Sequence, residues 1–362
     1  MDWFCKLDPS ISPKNSAKQP ALAWDFFGAT VNCATVLAAY LRNRLEELKP
    51  WAEKNGITCF RLYERDLTAI PAIVDWYDGD VVVWVYPRSE REPEKQQNNF
   101  RHETLLAVST GLKINHKHIY MKQRHIQQEG RQYQRHGQES KTKVVAEQGL
   151  KFEVNLSDYV DTGLFLDHRV LRARVRSEAK DKRVLNLFAY TGAFTCYALA
   201  GGAAMTTTVD LSSTYSEWTK RNFTLNDFRV SDKHRVYEDD TMEYLRRAAR
   251  RSERYDLIVC DPPTFSRSKR TSKDFSVARD YPTLIAACLA VLSPGGVLYF
   301  SNNARQFKLD PAVVTPGLTI KDCSLATIPQ DFQNQQIHYC FEIKVGGKVV
   351  VAPRGIEPRL SA

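Results

Sequence analysis

From residue 183 to residue 302 the chain alternates between short apolar runs and segments with helical spacing. Runs at 183–187, 206–209, 234–237, 257–260 and 297–301 are separated by helical patterns that include 216–225, 241–250 and 281–292. A strand followed by a helix returns the chain to the same edge of a sheet, so this rhythm specifies a parallel, doubly wound α/β sheet. Two later strand patterns, 318–323 and 338–343, lie beyond the last helix pattern and are expected to form an antiparallel edge.

In such a sheet, ligands bind at the carboxyl ends of the strands, which directs attention to the residues that follow each run. The first run ends in Phe188, Tyr190, Thr191 and Gly192 before an Ala-rich helix pattern, and a glycine there lets the backbone approach a ligand closely. The second run ends in Asp210, about 20 residues on, where a carboxylate accepts the protons of a ribose diol. With one glycine where dinucleotide folds place three, the loop leaves little room for a pyrophosphate. A nucleoside without phosphates fits better, and S-adenosylmethionine is the candidate.

The run at 257–260 is followed by Asp261, Pro262, Pro263, Thr264 and Phe265. The prolines fix φ twice and remove two backbone donors, so carbonyls and a carboxylate face the crevice. Such an edge holds a planar base by its hydrogen-bond donors, with Phe265 available to stack on it.

The formal charge is +9, the electrostatic footprint of a nucleic-acid partner. Between Lys113 and Lys143 eight Lys or Arg face two Glu, with four histidines, Tyr120 and Tyr133 among them. That concentration favours phosphates over a merely solvated loop. No apolar run is long enough to span a bilayer and the first residues lack the apolar core of a signal peptide, so a cytoplasmic location without membrane association is expected. The eight cysteines are scattered without a CxxC pair, which implies reduced thiols and no metal site.

Ahead of the sheet, residues 1–33 carry three prolines and read as a flexible arm. Apolar positions from Val36 to Trp51 recur at helical spacing and Gly56 closes the run, giving one helix with Pro50 as a point of kinking. Strand patterns at 57–63, 72–77 and 81–86 follow, with Asp78 and Gly79 as a hairpin turn, then a helix at 99–113 and strands at 119–123 and 150–154. Residues 34–160 therefore read as a small α+β, RNA-binding domain, 161–345 as the catalytic domain and 346–362 as a disordered tail. Leu164–Arg176 bridges the two domains, either as a helix capped by Asp167 with exposed arginines or as a functional segment.

The segments NLFAYTGAF at 186–194, TTTVDLSSTYSEW at 206–218, DPPTFSRSKR at 261–270, SNN at 301–303 and DFQNQQIHYC at 331–340 together resemble the C-terminal, K-type half of the bacterial bifunctional 23S rRNA guanine methyltransferases, from about residue 38 to about 344. The resemblance implies a class I methyltransferase fold, a Rossmann-like seven-stranded sheet behind a small α+β domain. It also implies S-adenosylmethionine as donor, N7 of a guanine in 23S rRNA or a large-subunit precursor particle as acceptor, and the absence here of the N2-methylating half.

In that frame Asn186, Phe188, Tyr190, Thr191 and Gly192 line the methionine side of the donor. Asp210 and Ser212 hold the ribose side, Asp239 or Asp240 accepts from the adenine amino group, and Asp167 and Arg169 contribute from the bridging segment. Asp261, Pro262, Pro263 and Phe265 face the target base. Lys113, Lys117, Lys122, Arg124, Arg131, Arg135, Arg267, Lys269 and Arg270 are the RNA-binding set, and His338 stays open between a functional residue and a satisfied core histidine, the more common outcome. Guanine N7 carries an in-plane lone pair and needs alignment but no general base. C5 methylation of cytosine needs a thiolate, which Cys260 on a buried strand and Ser301, Asn302 and Asn303 do not offer. Guanine N2 methylation and a non-catalytic RNA-binding assembly factor are the alternatives, and a nicotinamide-dependent dehydrogenase lacks its glycine fingerprint.

Overall fold

The computed structural model describes residues 33–89, 91–123, 140–267, 274–310 and 317–345. The expected arm at 1–33, apart from Cys33, the tail at 346–362, and Arg124, Arg131, Arg135, Lys269 and Arg270 lie outside the described residues. Contacts divide the chain into two units: one reaches to Trp51 and resumes over Leu62–Ile126, and the other comprises Ala52–Arg61 and everything from Gln127 on.

Helix α1 (Cys33–Lys54), in the first unit as far as Trp51, buries Leu37, Leu41 and Leu48, the apolar positions at three- and four-residue spacing. Strands β1 (Cys59–Glu64), β2 (Ala72–Tyr77) and β3 (Asp80–Val85), helix α2 (Glu94–Leu112) and strand β4 (Ile119–Gln123) follow, and the strands form one sheet in the order β1-β2-β3-β4. Asp78 and Gly79 join β2 to β3 with φ of 49° and 91°, the left-handed pair that a two-residue hairpin turn demands. β3 and β4 pair in parallel because α2 carries the chain back between them.

The second unit opens with a hairpin of β5 (Thr142–Glu147) and β6 (Leu150–Asn155), followed by α3 (Arg169–Glu178). The alternating part runs β7 (Arg183–Leu187), α4 (Ala193–Ala200), β8 (Met205–Asp210), α5 (Ser213–Leu225), β9 (His234–Glu238), α6 (Thr241–Arg250) and β10 (Tyr255–Cys260). After a two-stranded ribbon of β11 (Phe265–Ser266) and β12 (Phe275–Ser276) come α7 (Val277–Ala290), β13 (Leu292–Asn302), β14 (Leu318–Asp322), α8 (Ser324–Thr327) and β15 (Tyr339–Val345).

The seven-stranded sheet has the order β14-β15-β13-β10-β7-β8-β9. β13, β10, β7, β8 and β9 are parallel, and β15 and β14 complete the edge antiparallel, as the sequence pattern implies. Leu185, Leu187, Val209, Ile258, Cys260, Leu298 and Phe300 form a core with α6 and α7, while Val184, Leu257, Val259 and Tyr299 pack with α3 and α4. Runs with side chains on both faces buried are why these strands read as continuously apolar rather than alternating.

Three sequence expectations change. The hairpin 142–155, assigned to the front domain, belongs to the second unit, because α5 claims its edge. Asn222 accepts from Glu153 N at 2.9 Å, Trp218 Nε1 donates to Glu153 O at 3.0 Å, and Asn226 exchanges bonds with Lys151. The arginines of α3 are not all exposed: Arg169 and Arg172 are fully buried. Cys59, Cys196, Cys260, Cys288, Cys323 and Cys340 are free and buried, whereas Cys33 is disulfide-bonded.

Candidate active site

Strand order reverses between β7 and β10, so the loops leaving those two neighbours open the crevice at the carboxyl edge of the sheet. Register fixes what meets there. Leu187 pairs with Val209 on one side and with Cys260 on the other, and Cys260 pairs with Phe300. The residues that follow, Phe188, Asp210, Asp261 and Ser301, therefore form one row along the edge.

The loop 188–192 is held in an uncommon shape, with φ of 53° at Phe188, 52° at Tyr190 and 74° at Gly192. Its anchors come from neighbouring elements. Asp210 Oδ2 accepts from Tyr190 N at 2.8 Å, Thr219 Oγ1 donates to Tyr190 O at 3.2 Å, Asn222 Nδ2 donates to Thr191 O at 2.9 Å, and Thr191 Oγ1 donates to Gly163 O at 2.6 Å. Gly192 is required by more than its φ, since a Cβ there would lie 2.5 Å from Thr219 Cγ2. Helix α5, rather than a ligand alone, dictates that glycine.

Asp210 accepts from Ser212 N at 2.9 Å through its other oxygen, so each carboxylate oxygen is aimed by one backbone N–H and keeps acceptor capacity. Burial pushes its pKa up to about 6, against the pull of those two N–H groups. A diol donating two hydroxyls to this carboxylate would restore what desolvation takes away, and on that chemistry the site fits a ribose.

Several expected donor contacts have other occupations. Asn186 is buried inside the sheet and gives its amide to Thr195 Oγ1 at 3.0 Å. Thr191 turns its hydroxyl to Gly163, and Ser212 caps α5. Asp240 caps α6 by accepting from Glu243 N at 2.9 Å, and Asp239 pairs with Arg247. Arg169 requires correction as a donor contact. Its Nε donates to Glu147 Oε2 at 2.8 Å, Nη1 to Asp331 Oδ1 at 2.6 Å and Nη2 to Cys59 O at 2.7 Å, so the whole guanidinium is consumed within a sealed cluster. Arg172 joins the same Glu147, which also accepts from Tyr197 at 2.9 Å.

Asp167 belongs to a second buried cluster, which includes a residue that pattern reading passed over. His168 Nε2 lies 3.2 Å from Asp261 Oδ2 and 3.7 Å from Asp167 Oδ2. His338 Nδ1 lies 3.1 Å from Asp167 Oδ2 and its Nε2 2.9 Å from Thr327 Oγ1, which makes it a satisfied core histidine. The two imidazoles stack, with centroids 4.9 Å apart and planes 12° from parallel. Burial pushes the His168 pKa down, but the Asp261 and Asp167 charges overcome it and lift it to about 9. Burial likewise works against ionised Asp261, and the His168 charge with hydrogen bonds from His168 and Ser301 holds its pKa below the usual carboxylate range. Ligating atoms of Asp167, His168 and His338 lie within 4.8 Å of one another, a spacing that their hydrogen bonds account for without an ion.

After β10, Pro262 is buried, and Pro263 and Phe265 are half-buried. Phe265 leads the β11–β12 ribbon, and Thr264 Oγ1 donates to Asn303 Oδ1 at 2.9 Å. Cys260 is fully buried, and burial beside Cys288 pushes its thiol well above the ordinary range, so it is no nucleophile at neutral pH. Of the basic set, Lys113 closes α2 in a left-handed cap, Lys117 is exposed after it, and Lys122 lies on β4 over the Trp84 ring. Arg267 is 78% exposed and pairs loosely with Asp274 at 3.6 Å. No described helix is long and apolar enough to cross a membrane.

Comparison with known proteins bears on this geometry. The S-adenosylmethionine-dependent methyltransferase family matches residues 61–323. The ribosomal RNA large subunit methyltransferase K of Neisseria meningitidis is 41% identical over 310 residues, covering 86% of this chain and 87% of the relative. The K/L protein of Methylococcus capsulatus is 41% identical over 314 residues, covering 85% of this chain, which spans only 42% of that relative's length. Among solved structures, SMU.776, a methyltransferase complexed with SAH, superposes with a TM-score of 0.71 at 27% identity, covering 88% of this chain and 83% of that one.

Proposed function

The chain belongs to the S-adenosylmethionine-dependent methyltransferase family, and we propose that it methylates N7 of a guanine in 23S rRNA. The donor supplies an electrophilic methyl group on a sulfonium. Asp210 would hold its ribose hydroxyls, with loop 188–192 alongside and Asp239 or Asp240 at the adenine amino group. The names of the Neisseria and Methylococcus relatives support ribosomal RNA of the large subunit as the acceptor.

The observation that carries the choice of atom is the state of Asp261. Its carboxylate is bonded to His168 and Ser301 and held below the usual carboxylate range, so it accepts hydrogen bonds and is a poor proton acceptor. Guanine N7 needs no deprotonation before attack, and an acceptor-only edge suits a reaction without a general base. An ionised carboxylate can take two donors from the base, and guanine offers N1–H and its amino group on the edge away from N7. Phe265 would stack on the base. A paired guanine would have to be turned out of its helix at a cost of a few kcal/mol, which Arg267 and the basic residues of the first unit would offset through phosphates.

Transfer of a labelled methyl group to unmodified 23S rRNA, followed by digestion to nucleosides, tests the proposal. Label in 7-methylguanosine supports it, label in N2-methylguanosine moves the reaction to the exocyclic amine, and donor binding without transfer to rRNA or precursor particles defeats it.

A further inference from the structure

His168 enters the proposed reaction only through its bond to Asp261, and it is a buried residue beside the carboxyl edge of the sheet. Its ring touches Phe194, in the first turn of α4, at 5.7 Å between centroids, and its Nε2 reaches Asp261 at the end of β10. Its Nδ1 is buried and without a hydrogen-bond partner in the structure. A buried polar atom left unpaired is costly, so the residue is there for something other than packing.

The hydrogen-bond inventory around it is tightly determined. Asp167 receives His338 Nδ1 at 3.1 Å and faces His168, and Ser301 donates to the oxygen of Asp261 that His168 leaves open. Stacking at 4.9 Å disfavours charge on both rings. His338 Nδ1 meets Asp167 and its Nε2 meets Thr327, which leaves His168 Nε2 to face Asp261. The charged and titratable groups facing His168 are Asp261, Asp167, His338 and Arg172, with Arg61 acting on Asp167 from the far side.

We propose that His168 is the positioning residue of the acceptor site: its imidazolium, braced by Asp167 and His338, locks the Asp261 carboxylate in one orientation and in its ionised form, so that Asp261 grips the target base. This rests on the proposed role of Asp261 at the base. Because the brace is built from residues at 167–168, 261, 301, 327 and 338, it also ties the edge strand region to the loop after β10.

The test uses the full chain. Imidazole nitrogen NMR of the ¹⁵N-histidine-labelled protein, with His168 assigned by the loss of its signals in His168→Gln, should show an imidazolium persisting to about pH 9, and Asp261→Asn should lower that midpoint by more than one pH unit. In methyl transfer, His168→Gln should lower kcat/KM for RNA at least tenfold while leaving the donor Kd unchanged. The double variant with Asp261→Asn should be no worse than Asp261→Asn alone, since both remove one device. A His168 that titrates at its ordinary value in the wild-type protein overturns the proposal, as do losses that multiply in the double variant. The NMR titration needs no substrate and survives a variant that folds poorly. A wild-type protein that methylates a different atom overturns the reading of the reaction and leaves the His168–Asp261 coupling to be judged by its own titration.

Discussion

Two buried ionic clusters grow from one short stretch, Leu166–Arg172, and they differ in kind. The cluster of Glu147, Arg169, Arg172 and Asp331 is fully buried: two cations meet two carboxylates, and Arg169 spends each of its three nitrogens on a neighbour. The cluster of Asp167, His168, His338 and Asp261 sits at the carboxyl edge of the sheet, and it retains an unpartnered His168 nitrogen and a half-buried Asp261. A sealed network of charges holds a fold in one arrangement, whereas one that ends at a crevice can act on what enters it. What separates the two clusters is therefore depth, since one is fully enclosed and the other ends at a half-buried carboxylate on the sheet edge.

The contrast breaks most visibly at Glu147. Glu147→Ala strands two guanidinium groups in the interior and should destabilise the protein by about 3–5 kcal/mol, read from urea unfolding. Folded Glu147→Ala protein should still bind donor normally, and a large loss of donor affinity would show the two clusters to be one.

Asp210 gives the next effect, from the open side. Hydrogen bonds to a charged group are worth about 1.5–3 kcal/mol each, so Asp210→Ala should weaken donor binding by roughly 100-fold or more with only a modest change in melting temperature. Unchanged affinity would remove Asp210 from the site. The same residue supplies a pH signature. Its carboxyl titrates near pH 6 in the free protein, and bound hydroxyls favour the ionised form. Below that pH donor binding must release a proton, so affinity should fall about tenfold per pH unit under 6 and level off above 7. Calorimetry in buffers of different ionisation enthalpy reports that proton directly.

Gly192→Ala should cost about 1–3 kcal/mol, the sum of a left-handed backbone and a Cβ driven into Thr219. Thr219→Ala in the same chain should recover the steric part and leave the backbone part. The smallest effect is at Arg267, where Arg267→Ala should reduce the slope of log affinity for RNA against log salt by about one unit and leave donor binding alone.

The parallel sheet was legible because its strands are buried on both faces, and its edge residues follow directly from register. What could not be read were partners distant in the chain. Arg169 and Arg172 look like an exposed basic face until Glu147 and Asp331 are brought to them, and no local pattern encodes a meeting across 162 residues. Strand β5 does not stand out in the sequence because Lys141 and Lys143 blur its alternation, and Val144 is left 45% exposed. Gly192 was found for a partial reason, since Thr219 rather than a ligand fills the space beside it. His168 was in view, next to Asp167, but a lone histidine beside an acid carries no direction, and only the register of β10 and β13 brings Asp261 and Ser301 to it.

The sheet order has a consequence for how the protein is made. The last strand, β15, is threaded between β13 and β14, pairing Phe300 with Phe341 and Ile320 with Ile343. While the chain emerges from a ribosome, β13 must wait with one edge bare until residues beyond 339 are translated, and β14 has no partner at all until then. Because His338 lies next to that strand, the brace on Asp261 is also among the last contacts to form. The row of residues along the carboxyl edge is thus finished only when the strand that follows His338 has been inserted.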